Sequence, residues 1–109
     1  MLLRFKGDHL ADAVRAGTKR ATLRTGRRPY LGERLTLLCG RHRLVDPDPA
    51  AVEPLSVSVR LSPLSITSRG VAVDPGPLFA SLGHASVEDA VNYYRALNGD
   101  VFDGWVIRW

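Results

Sequence analysis

A chain of 109 residues, 45% of them apolar, is long enough for one compact domain with its own core, too short for two, and too apolar to be disordered. Its one cysteine, Cys39, excludes an internal disulfide and fits a reducing compartment. No apolar run approaches the roughly 18–20 residues that span a bilayer, and charges follow MLL too closely for a signal peptide, so a single cytoplasmic domain over residues 1–109 is expected. The formal net charge of +4 is unevenly distributed: residues 1–43 carry eleven of the fifteen Lys and Arg and three of the eleven Asp and Glu, net +8, which leaves net −4 on residues 44–109. A basic half of this kind favours a polyanionic partner, RNA or a nucleotide.

In chain order, LLRF (2–5) reads as a short first strand, and Asp8 is placed to cap a helix carrying Leu10, Ala13 and Val14 on one face, which Gly17 ends. ATLR (21–24) alternates, with Ala21 and Leu23 facing one way and Thr22 and Arg24 the other. TGRRPYLGE is a loop, RLTLLCG (34–40) a strand with Leu35 and Leu37 inward, and RHRLV its hairpin partner. The proline- and acid-rich DPDPAAVEP (46–54) reads as a surface excursion. LSVSVRLSPLSI (55–66) is the clearest strand, with Leu55, Val57, Val59 and Leu61 on one face and Pro63 bending or ending it. A short helical piece is expected near 77–82. A second helix starts at Ser86 with a capping box to Asp89, shows Val87, Ala90, Val91 and Tyr94 on its apolar face, and stops at Asn98-Gly99. GWVIRW (104–109) closes the chain as a strand with Trp105, Ile107 and Trp109 on one side and Val106 and Arg108 on the other. Five or six short strands with two or three helices make an α+β fold, expected to be a small barrel whose first and last strands lie close together.

No residue set calls for a metal or cofactor. Cys39, His9, His42 and His84 lack paired ligand spacing, and no P-loop, dinucleotide or GxSxG fingerprint occurs. The chemistry concentrates in AGTKRATLRTGRRP (16–29). Positive charge in this chain is carried by thirteen arginines and only two lysines, Lys6 and Lys19. An amine loses its proton on desolvation and then serves as base or nucleophile, which a guanidinium does not. With one face of ATLR buried, Thr22 and Arg24 point together into a groove or solvent, just after Lys19 at the helix end. Arg20, Arg27 and Arg28 extend the basic surface, and Tyr30 is placed to stack on a base. The plain structural alternatives are a β-branched strand residue for Thr22, an ion pair for Arg24, and core packing for Trp105 and Trp109.

Gly17, Lys19, Thr22 and Arg24 form G-x-K-x-x-T-x-R, followed by Gly32, Glu33 and Leu35 in G-[DE]-x-L, a helix start with Ser86, Glu88 and Asp89, helix aromatics Tyr93 and Tyr94, and a closing W-V-I-R-W strand. In that order these motifs resemble the ASCH family, over nearly the whole chain. The resemblance implies a PUA-like barrel with a cleft lined by Lys19, Thr22 and Arg24, in a family linked to RNA and modified nucleosides. One small bacterial branch hydrolyses N(4)-acetylcytidine with a Lys, a Thr and a Glu, and the first two match Lys19 and Thr22 here. The matching stretch for the acid, ASLGHAS, places Leu82, Gly83 or His84 there, none of them a carboxylate. The expectation is therefore a domain that binds RNA or a nucleotide or nucleoside through Lys19, Arg20, Thr22, Arg24, Arg27, Arg28 and Tyr30, without metal or cofactor. The alternative is an amidohydrolase with Lys19 and Thr22 as catalytic residues, or, behind it, a ribonuclease. What decides between holding and cutting is whether a carboxylate reaches the Lys19 amine.

Overall fold

The computed structural model describes residues 1–109, and its eight strands and three helices make an α+β fold with two hydrophobic cores. Strand β1 (Leu2–Arg4) leads into helix α1 (Asp8–Ala16), which ends at Gly17 in the left-handed region, φ 78°. Asp8 is the helix's first residue and does not cap it through its side chain; Gly7 occupies the cap position. Asp8 acts there as a negative charge in the first turn, where it suits the helix dipole. Strand β2 (Ala21–Arg24) follows as expected, then β3 (Thr36–Cys39) and β4 (His42–Arg43), the short hairpin partner.

The strand expected over 55–66 is two. β5 (Leu55–Leu61) turns at Ser62-Pro63 into β6 (Leu64–Ser68), which pairs in turn with β7 (Val71–Ala72). Proline ends the strand because it has no N–H to give the ladder. Helix α2 (Pro75–Ser81) is capped by Asp74, whose side chain accepts from the Gly76 N–H at 3.2 Å. Helix α3 (Val87–Asn98) is capped by Ser86, which accepts from the Asp89 N–H at 3.1 Å. The last strand, β8, runs over Val101–Arg108.

The strands form a three-stranded sheet, β1-β3-β4, with β1 and β3 parallel, and a five-stranded antiparallel sheet, β2-β8-β5-β6-β7. The count exceeds the expected five or six because β6 lies beyond the proline and β7 is two residues long, too short to register as a period-2 pattern. The first and last strands meet through packing, Leu3 and Ile107 sharing one core, and not through hydrogen bonds. The proline-rich segment is tied down. Arg34 bridges Ala50, and the backbones of Gly32, Glu33 and Leu35 bond to Ala51 and Pro49, with Ala51 itself buried.

Strand β8 separates the two cores. Val106 packs with Val57, Val59, Leu23, Phe79 and Tyr94 on one face, whereas Ile107 packs with Leu3, Phe5, Leu10, Leu35 and Leu37 on the other. The register pairs Leu23 with Val106 and Thr22 with Ile107, so the alternation of β2 carries Ala21 and Leu23 into the first core and turns Thr22 and Arg24 toward the second. Gly104 lets the strands approach. A Cβ there would stand 2.8 Å from the Arg24 carbonyl oxygen, which is backbone and cannot rotate away. Gly104→Val is expected to lower stability by about 1–3 kcal/mol through overpacking, read as a lower urea midpoint. An unchanged midpoint would mean that the spacing of β2 and β8 is slack.

Candidate functional site

A cleft of about 240 Å³ opens where the two cores adjoin. The end of β1 contributes Arg4, Phe5 and Lys6, and β2 contributes Thr22, Leu23 and Arg24. Lys19 enters from the α1–β2 connection, Leu82 and His84 from the α2–α3 connection, and Tyr93, Tyr94 and Leu97 from α3. The three residues expected to share a cleft, Lys19, Thr22 and Arg24, line this one together.

Lys19 is 3% exposed. Its Nζ donates to the Ala21 carbonyl at 2.7 Å and to the Leu82 carbonyl, and no carboxylate pairs with it. The backbone of Leu82 thus stands where a carboxylate was sought. Gly83 makes the approach possible. Its φ is +92°, and a Cβ on it would lie 3.1 Å from Lys19 Cδ. Burial, reinforced by the positive Arg24, pulls the Lys19 amine down from 10.5 to about 7. With no carboxylate to hold its charge, desolvation brings the neutral form of Lys19 within reach of neutral pH.

Arg24 is half-buried. Its guanidinium donates through Nε to the Thr22 hydroxyl at 3.3 Å and through a terminal nitrogen to the Arg4 carbonyl at 2.7 Å. Burial works against its charge, and the phenols of Tyr93 and Tyr94 oppose that effect. Both cations lie against the Phe5 ring, Lys19 Nζ at 5.6 Å and the Arg24 guanidinium carbon at 5.3 Å from its centroid. The far wall is aromatic: His84, Tyr93 and Tyr94 sit with ring centroids 5.1–5.2 Å apart, and His84 Nε2 shares a hydrogen bond with the Tyr94 hydroxyl at 2.8 Å. Burial, with the positive charges of Lys19 and His9, pushes His84 down to about 4, so the imidazole is neutral at neutral pH. Burial raises the Tyr94 phenol above its ordinary range, which keeps its proton on. Tyr93 is 42% exposed and lines the cleft.

The other expected binding residues lie away from this cleft. Arg20 Nε donates to the Trp109 carbonyl at 3.3 Å. Arg27 pairs with Glu33, and Arg28 pairs with Glu53 at 2.9 Å while its guanidinium lies 5.3 Å from the Trp105 ring centroid. Tyr30 is largely exposed. Glu33 is buried and held well down, to about 2, first by the hydrogen bond from Arg27, with the Tyr30 N–H and the Met1 amine adding to it. It braces the 25–34 loop and does not approach Lys19. Glu88 and Asp89 are first-turn charges on α3, and Trp105 and Trp109 pack against the second core. The sequence reading gave no binding role to Arg4, Phe5, Lys6 or Tyr93. The adjacent pair Tyr93-Tyr94 carried a signal, since successive helix positions cannot both enter the core.

No family model matches the chain, and comparisons with curated proteins and with solved structures also give no match.

The buried amine makes a stability prediction. Between about pH 7 and 10.5 the unfolded chain holds a proton on Lys19 that the folded chain has released, so stability rises with pH across that window, by at most about 1.4 kcal/mol per pH unit from this group. Below about pH 7 the cost of burying the charge is fully present. Lys19→Met is expected to flatten this slope and to gain most, relative to the wild type, below neutral pH. Urea unfolding at a series of pH values checks it, and parallel wild-type and variant profiles would contradict it.

Proposed function

We propose that the protein binds RNA or a nucleotide, with one base and its phosphate seated in the cleft. One observation carries this reading: the lining combines four cationic side chains, Arg4, Lys6, Lys19 and Arg24, with the rings of Phe5, Tyr93 and Tyr94 and contains no carboxylate. Uncompensated positive charge in a concave site attracts an anion, and ring faces suit the flat surface of a base, whose stacking on an aromatic side chain contributes about 1–3 kcal/mol. The volume lies below the ~300–1,000 Å³ usual for sites of drug-sized ligands, which suits a single nucleotide unit more than a longer folded one. Arg24 and Lys6 serve the phosphate and Tyr93 the base. Arg27 and Arg28, neutralised by Glu33 and Glu53, contribute at most to the rim. The order of the G-x-K-x-x-T-x-R and G-[DE]-x-L motifs supports an ASCH-type domain with a PUA-like barrel as the framework of this reading.

Binding of a short single-stranded RNA is expected to weaken steeply with salt, and Arg24→Ala to weaken it further while lowering the slope of log affinity on log salt by about 1. Fluorescence anisotropy across a salt series measures both. Affinity indifferent to salt, or unaffected by the substitution, would remove the reading.

A second reading has a specific observation behind it, the Lys19 amine brought to about 7. A neutral amine is a base, and the Thr22 hydroxyl, polarised by Arg24 Nε, is a nucleophile on the same cleft wall. This supports an amidohydrolase acting on an N(4)-acylated cytidine. The missing carboxylate weighs against it, because no second group then relays onward the proton that Lys19 takes up. Incubation with N(4)-acetylcytidine, followed by chromatography for cytidine, is expected to show no turnover. Release of cytidine that Lys19→Ala abolishes would put the hydrolase first.

A further inference from the structure

The proposed ligand class can be narrowed by the hydrogen-bonding inventory of the cleft. A nitrogen on a lysine side chain has three positions besides its own carbon. Two of those on Lys19 are committed, one to the Ala21 carbonyl and one to the Leu82 carbonyl. As an ammonium it has one N–H left for a ligand. Arg24 has committed Nε to Thr22 and one terminal nitrogen to the Arg4 carbonyl, and a guanidinium offers five N–H groups and never accepts. The Thr22 hydroxyl lies between them in sequence and is the one group of the three that both donates and accepts. The three side chains thus offer the cleft two donors and one donor-acceptor, with Thr22 bonded to Arg24 Nε, and no carboxylate lines it to receive an N–H.

We propose that Lys19, Thr22 and Arg24 make the cleft selective for a uracil-type base, which presents carbonyl oxygens on either side of a ring N–H, over a cytosine-type base, which presents an exocyclic amine. The proposal rests on the nucleotide-binding reading above. A carbonyl receives an N–H from each cation, and the ring N–H donates to the Thr22 oxygen. An exocyclic amine meets a donor instead, and a buried donor left without an acceptor is costly.

The same geometry makes the preference depend on pH. When Lys19 loses its proton, the two hydrogens that remain go to the Ala21 and Leu82 carbonyls, and the free position becomes a lone pair. It then accepts from an amine and no longer donates to a carbonyl. The groups around it are Thr22 and Arg24 from β2, Arg4 and Lys6 from the end of β1, His84 from the α2–α3 connection, and Tyr93 and Tyr94 from α3. His84 and Tyr94 hold neutral forms through the neutral range, which leaves Lys19 as the shifted cleft-lining group that changes there; His9 on α1 acts on the cleft through its charge on His84.

Calorimetric titration with uridine and cytidine 5′-monophosphates tests the proposal. The two share their phosphate, so phosphate contacts and phosphate titration cancel in the ratio of affinities. At about pH 6 the uridine nucleotide is expected to bind about tenfold more tightly. At about pH 8, above the Lys19 titration, the ratio is expected to fall toward one or reverse. Lys19→Met is expected to bind both nucleotides weakly, with no preference at either pH. Equal affinities at about pH 6, a ratio that does not move with pH in the wild type, or a preference that survives Lys19→Met would each overturn the selectivity while leaving nucleotide binding intact. If neither nucleotide binds, the nucleotide-binding reading itself fails and the selectivity with it. The wild-type pH series decides the matter even if the variant does not fold.

Discussion

The pairing of β2 with β8 is the constraint on which the rest of the molecule depends. β8 has a hydrophobic core on each face, and its alternation is therefore fixed twice, by Val106 on one side and Ile107 on the other. A register slip of one residue would withdraw side chains from both cores at once. β2 lies beside it with Leu23 opposite Val106, which leaves Thr22 and Arg24 no choice of face. The absence of a side chain at Gly104 allows this approach against the Arg24 carbonyl. The positions of two cleft residues are thus consequences of core packing some distance from any ligand.

Lys19 illustrates the opposite economy, since it destabilises the domain by its burial. Leaving an ammonium 3% exposed with two carbonyl dipoles and the Phe5 ring but no carboxylate beside it costs free energy, and the fold accommodates it in two ways. The left-handed Gly83 clears room for the aliphatic stem, and the depressed amine allows the charge to be shed. A leucine or methionine at position 19 would fill the same volume without either device. On the proposed binding reading, the lysine at this position serves a ligand in the cleft.

Much of this was legible in the chain. The helix end at Gly17 and the alternation of ATLR suffice to bring Lys19, Thr22 and Arg24 to one place, because helix termination and strand period are local properties. The Ser86 cap and the strand facing of Leu55–Leu61 and 104–109 are legible for the same reason. The two-residue strand β7 was not, since it owes its existence to its pairing with β6. Nor was the partner of Lys19. The Leu82 carbonyl is backbone and has no signature in sequence, and it lies 63 residues away. The basic loop misled in a third manner: Arg27 and Arg28 look free in sequence because Glu33 and Glu53 are not marked there as their partners.

Those ion pairs also sharpen what the charge asymmetry means. Within residues 1–43, Arg15, Arg27, Arg28 and Arg43 are each matched by a carboxylate within 4 Å. The cations left without such a partner are Arg4, Lys6, Lys19, Arg20, Arg24, Arg34 and Arg41, and four of these seven line the one cleft. A composition-driven excess of arginine would spread unpaired charge over the surface. Here pairing removes charge from the loop and leaves it concentrated in a concave, partly desolvated space, where the effective dielectric is low and each charge acts more strongly on a bound anion. The basic half of the sequence thus concentrates its unpaired charge in a cleft that Tyr93, 42% exposed, also lines.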